Sequence, residues 1–158
     1  MGNERSEKKK EGLMVRIARD VVRQIEKHGE RTYPEECCGI MLGSIDEDNQ
    51  IVGEVVELDN EQDENRRRRF FVTPKQYLHA ERIAAERRST LLGFYHSHPD
   101  HPAIPSEFDR DHALPWFIYV VLSVSQAKSG DLTAWLLHKT RERFDMKEVM
   151  IEEEISSQ

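Results

Sequence analysis

Long hydrophobic runs are missing from this sequence. No apolar segment among its 158 residues approaches membrane-spanning length, which takes about 20 consecutive apolar residues. No secretory signal peptide opens it, so neither a membrane-embedded nor an exported protein is expected. An excess of basic charge is missing too. The net charge is -7. Recognition of phosphate backbones needs a basic surface, which excludes nucleic acid as the main partner. Cysteine is scarce, limited to the neighbours Cys37 and Cys38. Adjacent cysteines rarely bridge, because disulfide geometry wants well-separated Cα atoms. The expectation is a reducing, cytoplasmic compartment. C-x-x-C spacing is absent, which argues against a thiolate zinc site. Internal repeats are absent as well.

What is present suits one domain with one core: 37% hydrophobic and 34% charged residues in a chain of this length. Residues 1–12 are polar and without apolar periodicity, and are read as a disordered tail. The domain is expected over 13–154, with a short tail at 155–158. "MVRI" alternates and predicts a short strand. Ile17, Val21 and Ile25 recur at helical spacing and predict an amphipathic helix to about Glu30. "CCGIMLGSI" and "QIVGEVVEL" predict strands joined by a "DEDN" turn. "FFV" predicts a short strand. Thr73 and Pro74 predict the cap and first position of a helix. "LLGFY" predicts a buried strand and "SEFDRDHAL" a short helix. "FIYVVLSVS" and "LTAWLLH" predict two strands across a "KSGD" turn. "FDMKEVMIEEE" predicts an edge strand. Mixed strands and helices in one domain give an α/β or α+β layer fold.

The chemistry concentrates in "GFYHSHPDHPAIPSEFD", residues 93–109. His96 and His98 end a predicted strand two residues apart, so their rings point to one face and reach one metal ion. A catalytic zinc site takes three protein ligands. Asp109 is the candidate third, brought back by a proline-rich turn, while His101 and His112 also stand within geometric reach. Ser106 and Asp109 have a plainer reading as the capping box of the short helix. Metal-assisted hydrolysis also wants a carboxylate to move protons. "YPEECCGIMLG" offers Glu35 and Glu36 at the mouth of an apolar strand, where only one of the two faces the site.

Taken together, Glu36, then His96-Ser97-His98-Pro99, seven residues, then Ser106-x-x-Asp109 resemble the JAMM motif of the JAB1/MPN/Mov34 metalloproteases, E…H-[ST]-H-x7-S-x-x-D. The resemblance extends from about Met14 to Glu154 and selects Glu36, three residues before the strand glycine. It implies a cytidine-deaminase-like α/β fold, a central mixed sheet flanked by helices, holding one Zn2+ per chain. By the same resemblance His96, His98 and Asp109 are the zinc ligands, Glu36 the general acid/base, and Ser106 the oxyanion donor. Family members cleave after the C-terminal di-glycine of ubiquitin-like or sulfur-carrier proteins, and such a carrier is the partner implied.

Two other classes compete with that reading: a non-catalytic module that binds ubiquitin-like partners, and a zinc hydrolase of small amides. A cytidine deaminase needs H-x-E with P-C-x-x-C, and the histidines of this stretch are followed by neither. Arg66 to Arg69 are read as a solvated loop, and Cys37 and Cys38 as small apolar strand residues. Trp116 and Trp135 are read as core aromatics, with Trp116 also a candidate for lining the cleft.

Overall fold

A computed structural model describes residues 13–60 and 72–153. The tails at 1–12 and 155–158, the arginines Arg66 to Arg69 and most of the predicted "FFV" strand lie outside the described residues. Among the described residues seven strands are present: β1 (Met14–Ala18), β2 (Cys38–Asp46), β3 (Asn49–Leu58), β4 (Thr90–Pro99), β5 (Ile118–Ser125), β6 (Lys128–Leu137) and β7 (Phe144–Glu152). The helices are α1 (Arg19–Thr32), α2 (Pro74–Glu86) and α3 (Glu107–His112).

The sheet is mixed, as expected, but it closes on itself in the order β1-β3-β2-β4-β5-β6-β7. The last strand corrects the sequence reading. β7 is no edge: it pairs antiparallel with β6 and parallel with β1, and a bidentate Arg16–Glu152 ion pair spans the β1–β7 seam. Closure removes the unpaired edges that open sheets must otherwise protect.

Strand alternation sorts the core into two clusters. Val15, Ile17, Met41, Val52, Tyr95, Val120, Leu122 and Ala134 face inward and pack on Val21, Val22 and Ile25 of α1. That helix therefore fills the interior, and each of its three buried aliphatic side chains contributes roughly 1.5–3 kcal/mol by leaving water. Ile17 belongs to β1, so the helix begins later than its apolar spacing suggests. On the outer face, Cys38, Ile40, Leu42, Phe94, Tyr119 and Leu137 pack under Ala80 and Ala84 of α2. The helix is thus flanking only on this side.

Local chemistry fixes several boundaries. Thr73 caps α2 with its hydroxyl on the Gln76 N–H, and the Gln76 side chain accepts from the Thr73 N–H. The β5–β6 turn falls at Gln126 and Ala127, both with positive φ, because Ser125 pairs with Lys128. The "KSGD" residues therefore lie inside β6. Left-handed pairs usually announce themselves as Asn-Gly, and here neither residue does. Trp116 and Trp135 are not core. Trp116 is 65% exposed beside Phe117, and Trp135 is half-buried on the outer face of β6, where its Nε1–H donates to Thr133 Oγ1.

Candidate metal centre

β4 runs past Tyr95 to Pro99, so His96 and His98 lie within the strand, on the outer face. Their neighbour β2 pairs antiparallel, with Cys38 opposite His96. Ser97 extends this register: its N–H donates to the Cys37 carbonyl and its Oγ accepts the Cys37 N–H. Glu36 therefore falls opposite His98, on the same face. Glu36 is 2% exposed, while Glu35 is half-buried.

α3 supplies the third group. Ser106 caps it by accepting the Asp109 N–H at 3.0 Å, and Asp109 Oδ2 accepts the Ser106 N–H at 2.8 Å. This is the capping box the sequence suggests, worth about 1 kcal/mol at the Ser106 position. The same Oδ2 stands 3.2 Å from His96 Nε2 and 3.2 Å from His98 Nε2, and the two nitrogens are 3.1 Å apart. A tetrahedral ion with bonds of about 2.0 Å has ligand-to-ligand edges of about 3.3 Å. The three atoms thus form one face of such a tetrahedron.

Proton bookkeeping supports a cation there. His98 Nδ1 is 2.9 Å from the Pro102 carbonyl, which can only accept, so Nδ1 carries the hydrogen. In the neutral ring this leaves a lone pair on Nε2, aimed at a carboxylate oxygen. Two acceptors face each other at van der Waals distance, an arrangement that a positive ion between them makes favourable. The carbonyl also orients the ring, as partners of metal-bound histidines do. Burial lowers the His96 pKa, with partial opposition from Asp109. Burial works against the charge on Asp109. The nearness of His96 above all, then of His98 and the Ser106 backbone N–H, nevertheless holds its carboxyl far below the usual range. All three residues are buried, and together they can hold a metal ion.

Glu36 is the odd member. Its Oε2 has no hydrogen-bond partner among the described residues. Burial, and then the charge of Asp109, push its pKa up to about 9. It lines a cavity of about 420 Å³ with His98, His101, Pro102, Ile104 and Ser106. His101 is exposed in the loop, away from the triangle, and His112 is exposed at the end of α3, its Nδ1 2.9 Å from the Phe108 carbonyl. The two cysteines are buried in opposite clusters. Burial raises the Cys37 thiol to about 11, so Cys37 behaves as an apolar residue. Sequence reasoning missed the tie from Ser97 to Cys37 and the Pro102 carbonyl. Only Ser97, standing inside H-S-H, carried a signal.

Residues 18–138 match the family model described as prokaryotic homologs of the JAB domain. The chain belongs to this family. Among solved structures, this JAB-domain protein is similar to a Desulfitobacterium hafniense protein, with TM-score 0.78 and 27% identity, covering 90% of this chain and 95% of that one. A Salinibacter ruber protein is similar at 38% identity and TM-score 0.69, over 86% and 90% of the two chains. A JAB1/MPN domain protein of Archaeoglobus fulgidus shares the fold at 18% identity and TM-score 0.53, over 85% and 98%. Among curated proteins, the chain is 32% identical over 98 residues to tail tip assembly protein K of Escherichia phage N15. The match covers 60% of this chain and 36% of that protein. Among the described residues of this JAB-domain protein, no helix is long and apolar enough to cross a membrane.

Proposed function

We propose that this JAB-domain protein is a zinc-dependent peptidase or isopeptidase of the cytoplasm. Its substrate is a ubiquitin-like or sulfur-carrier protein, cut after the C-terminal di-glycine. The observation that carries the reading is the buried Glu36 carboxyl, with Oε2 unpartnered among the described residues, opposite His98 in a cavity beside three converging ligand atoms. A buried carboxyl costs free energy unless it is paired or working. His96, His98 and Asp109 would hold the zinc, which when bound would supply Lewis acidity at the site.

The residues of the chain do the rest. Glu36 Oε2 accepts a proton from the attacking water and returns it to the leaving nitrogen. Ser106 Oγ spends a lone pair on the Asp109 N–H. Its own O–H remains to donate to the oxyanion that grows on the scissile carbonyl. His98 keeps its ring orientation through the Pro102 carbonyl.

The test is cleavage of a ubiquitin-like fusion across its Gly-Gly junction by zinc-loaded protein. Glu36→Gln should retain zinc and lose turnover by about 100-fold or more. Equal cleavage by wild type and Glu36→Gln would sink the assignment. Short acyl-Gly-Gly amides should react far more slowly than the intact carrier, because remote protein contacts add binding energy; equal rates would favour a small-amide hydrolase. A second reading is a non-catalytic scaffold that binds ubiquitin-like partners, and the name of tail tip assembly protein K, of which the chain matches 36%, fits a module within an assembly. Partner binding without turnover at any zinc load would select it.

A further inference from the structure

We infer that Arg141, in the β6–β7 loop, is a positioning residue for Asp109, and that it acts by clasping the far end of the helix that carries it. The inference rests on the metal-site reading above. α3 has only six residues, too few to be stable alone. Its first turn is fixed by the Ser106–Asp109 box, but the carbonyls of a helix's last turn have no partner within the helix. Arg141 takes them. Its Nη1 donates to the Ala113 carbonyl at 2.9 Å, and its Nη2 lies 3.2 Å from Asp111 O and 3.3 Å from Arg110 O. A guanidinium also brings positive charge to the negative end of the helix dipole.

The clasp is reciprocal and built. Arg110 Nη1 returns a hydrogen bond to the Glu142 carbonyl at 3.1 Å, and the Leu114 N–H donates to the Tyr119 hydroxyl at 2.8 Å. The loop that presents Arg141 is shaped for it. The Arg141 N–H bonds the His138 carbonyl, the His138 N–H bonds the Arg143 carbonyl, and Arg141 holds φ at 64°. A non-glycine residue enters that region only where its surroundings demand it. Three carbonyls at one helix end need a fork of donors, which arginine has and lysine lacks. Without the fork the helix frays from its end, and Asp109 Oδ2 leaves the 3.1–3.2 Å triangle part of the time.

The experiment measures Co2+ and Zn2+ affinity by chelator competition, the visible absorption of the Co2+ form, and amide exchange of α3 in metal-free protein. Arg141→Met should weaken metal binding about 10- to 100-fold, as loss of an orienting partner typically does. It should also reduce the tetrahedral Co2+ band and speed exchange of the Asp109 amide. Arg141→Lys should recover part of each, and it carries the test if Arg141→Met does not fold. Arg143→Met, which removes the neighbouring Arg143–Asp145 pair, should change affinity by less than about twofold. Wild-type affinity, band and exchange in both Arg141 variants would overturn the inference. A wild-type protein that takes up neither ion would sink the metal reading instead. In that case unchanged α3 exchange in Arg141→Met would still overturn the clasp, and faster exchange would support it.

Discussion

Glu36 is the residue on which pH acts most directly. Its folded pKa of about 9 lies above the ordinary value of 4.5, first through burial and then through the charge of Asp109. A raised carboxyl favours the protonated form in the fold. Its contribution to the metal-free protein is therefore complete below about pH 4.5 and is lost as pH rises toward about 9. Glu36→Gln, neutral at every pH, escapes this loss. In a chelator-treated sample the melting temperature of Glu36→Gln should pull ahead of wild type as pH goes from about 5 to about 9. A constant gap across that range would contradict the burial argument. The choice of this carboxyl over Glu35 came from the motif resemblance, in which the glutamate stands three residues before a strand glycine. Its partners were legible only as a spaced motif, since no property of His96 alone separates a ligand from a satisfied core histidine.

Among the elements, β4 carries the most constraint, because it presents two of the three ligand atoms. Gly93 sits three residues before His96, paired with Ile118 of β5 and Met41 of β2. A Cβ there would lie 1.8 Å from the Ile118 carbonyl oxygen, which is backbone and cannot step aside. Gly93→Ala should destabilise the fold by at least the roughly 1–3 kcal/mol of an overpacked core, read by urea unfolding, and should weaken metal uptake. Wild-type stability would show that β4 and β5 tolerate a wider spacing than the fold suggests. Elements marked by side-chain chemistry were legible: Thr73 and Pro74 open α2, and Ser106 opens α3. Elements set by distant partners were not. The turn at Gln126 and Ala127 has no glycine or asparagine to mark it. The alternation of β7 shows a strand without showing that β1 waits on its other side. Arg141 meets α3 about thirty residues upstream, a contact no local pattern announces.

At the scale of the whole molecule, the closed sheet brings together groups that are far apart in sequence. The residues leading into β2 deliver Glu36, β4 delivers His96 and His98, and α3 delivers Asp109, with β4 held in its register against β2 and Asp109 in its capping box. A metal that binds only this folded arrangement stabilises it by mass action. Metal content therefore reports on the assembled site rather than on any one residue. The central claim is that these three side chains hold a single zinc ion while Glu36 stands beside it without holding it. Zinc per chain, measured by elemental mass spectrometry on protein purified with zinc supplied, tests this most directly. The account expects about one zinc in wild type and in Glu36→Gln, and almost none in His96→Ala or Asp109→Ala. Absence of zinc from the wild type, or undiminished zinc in those two ligand variants, would contradict it.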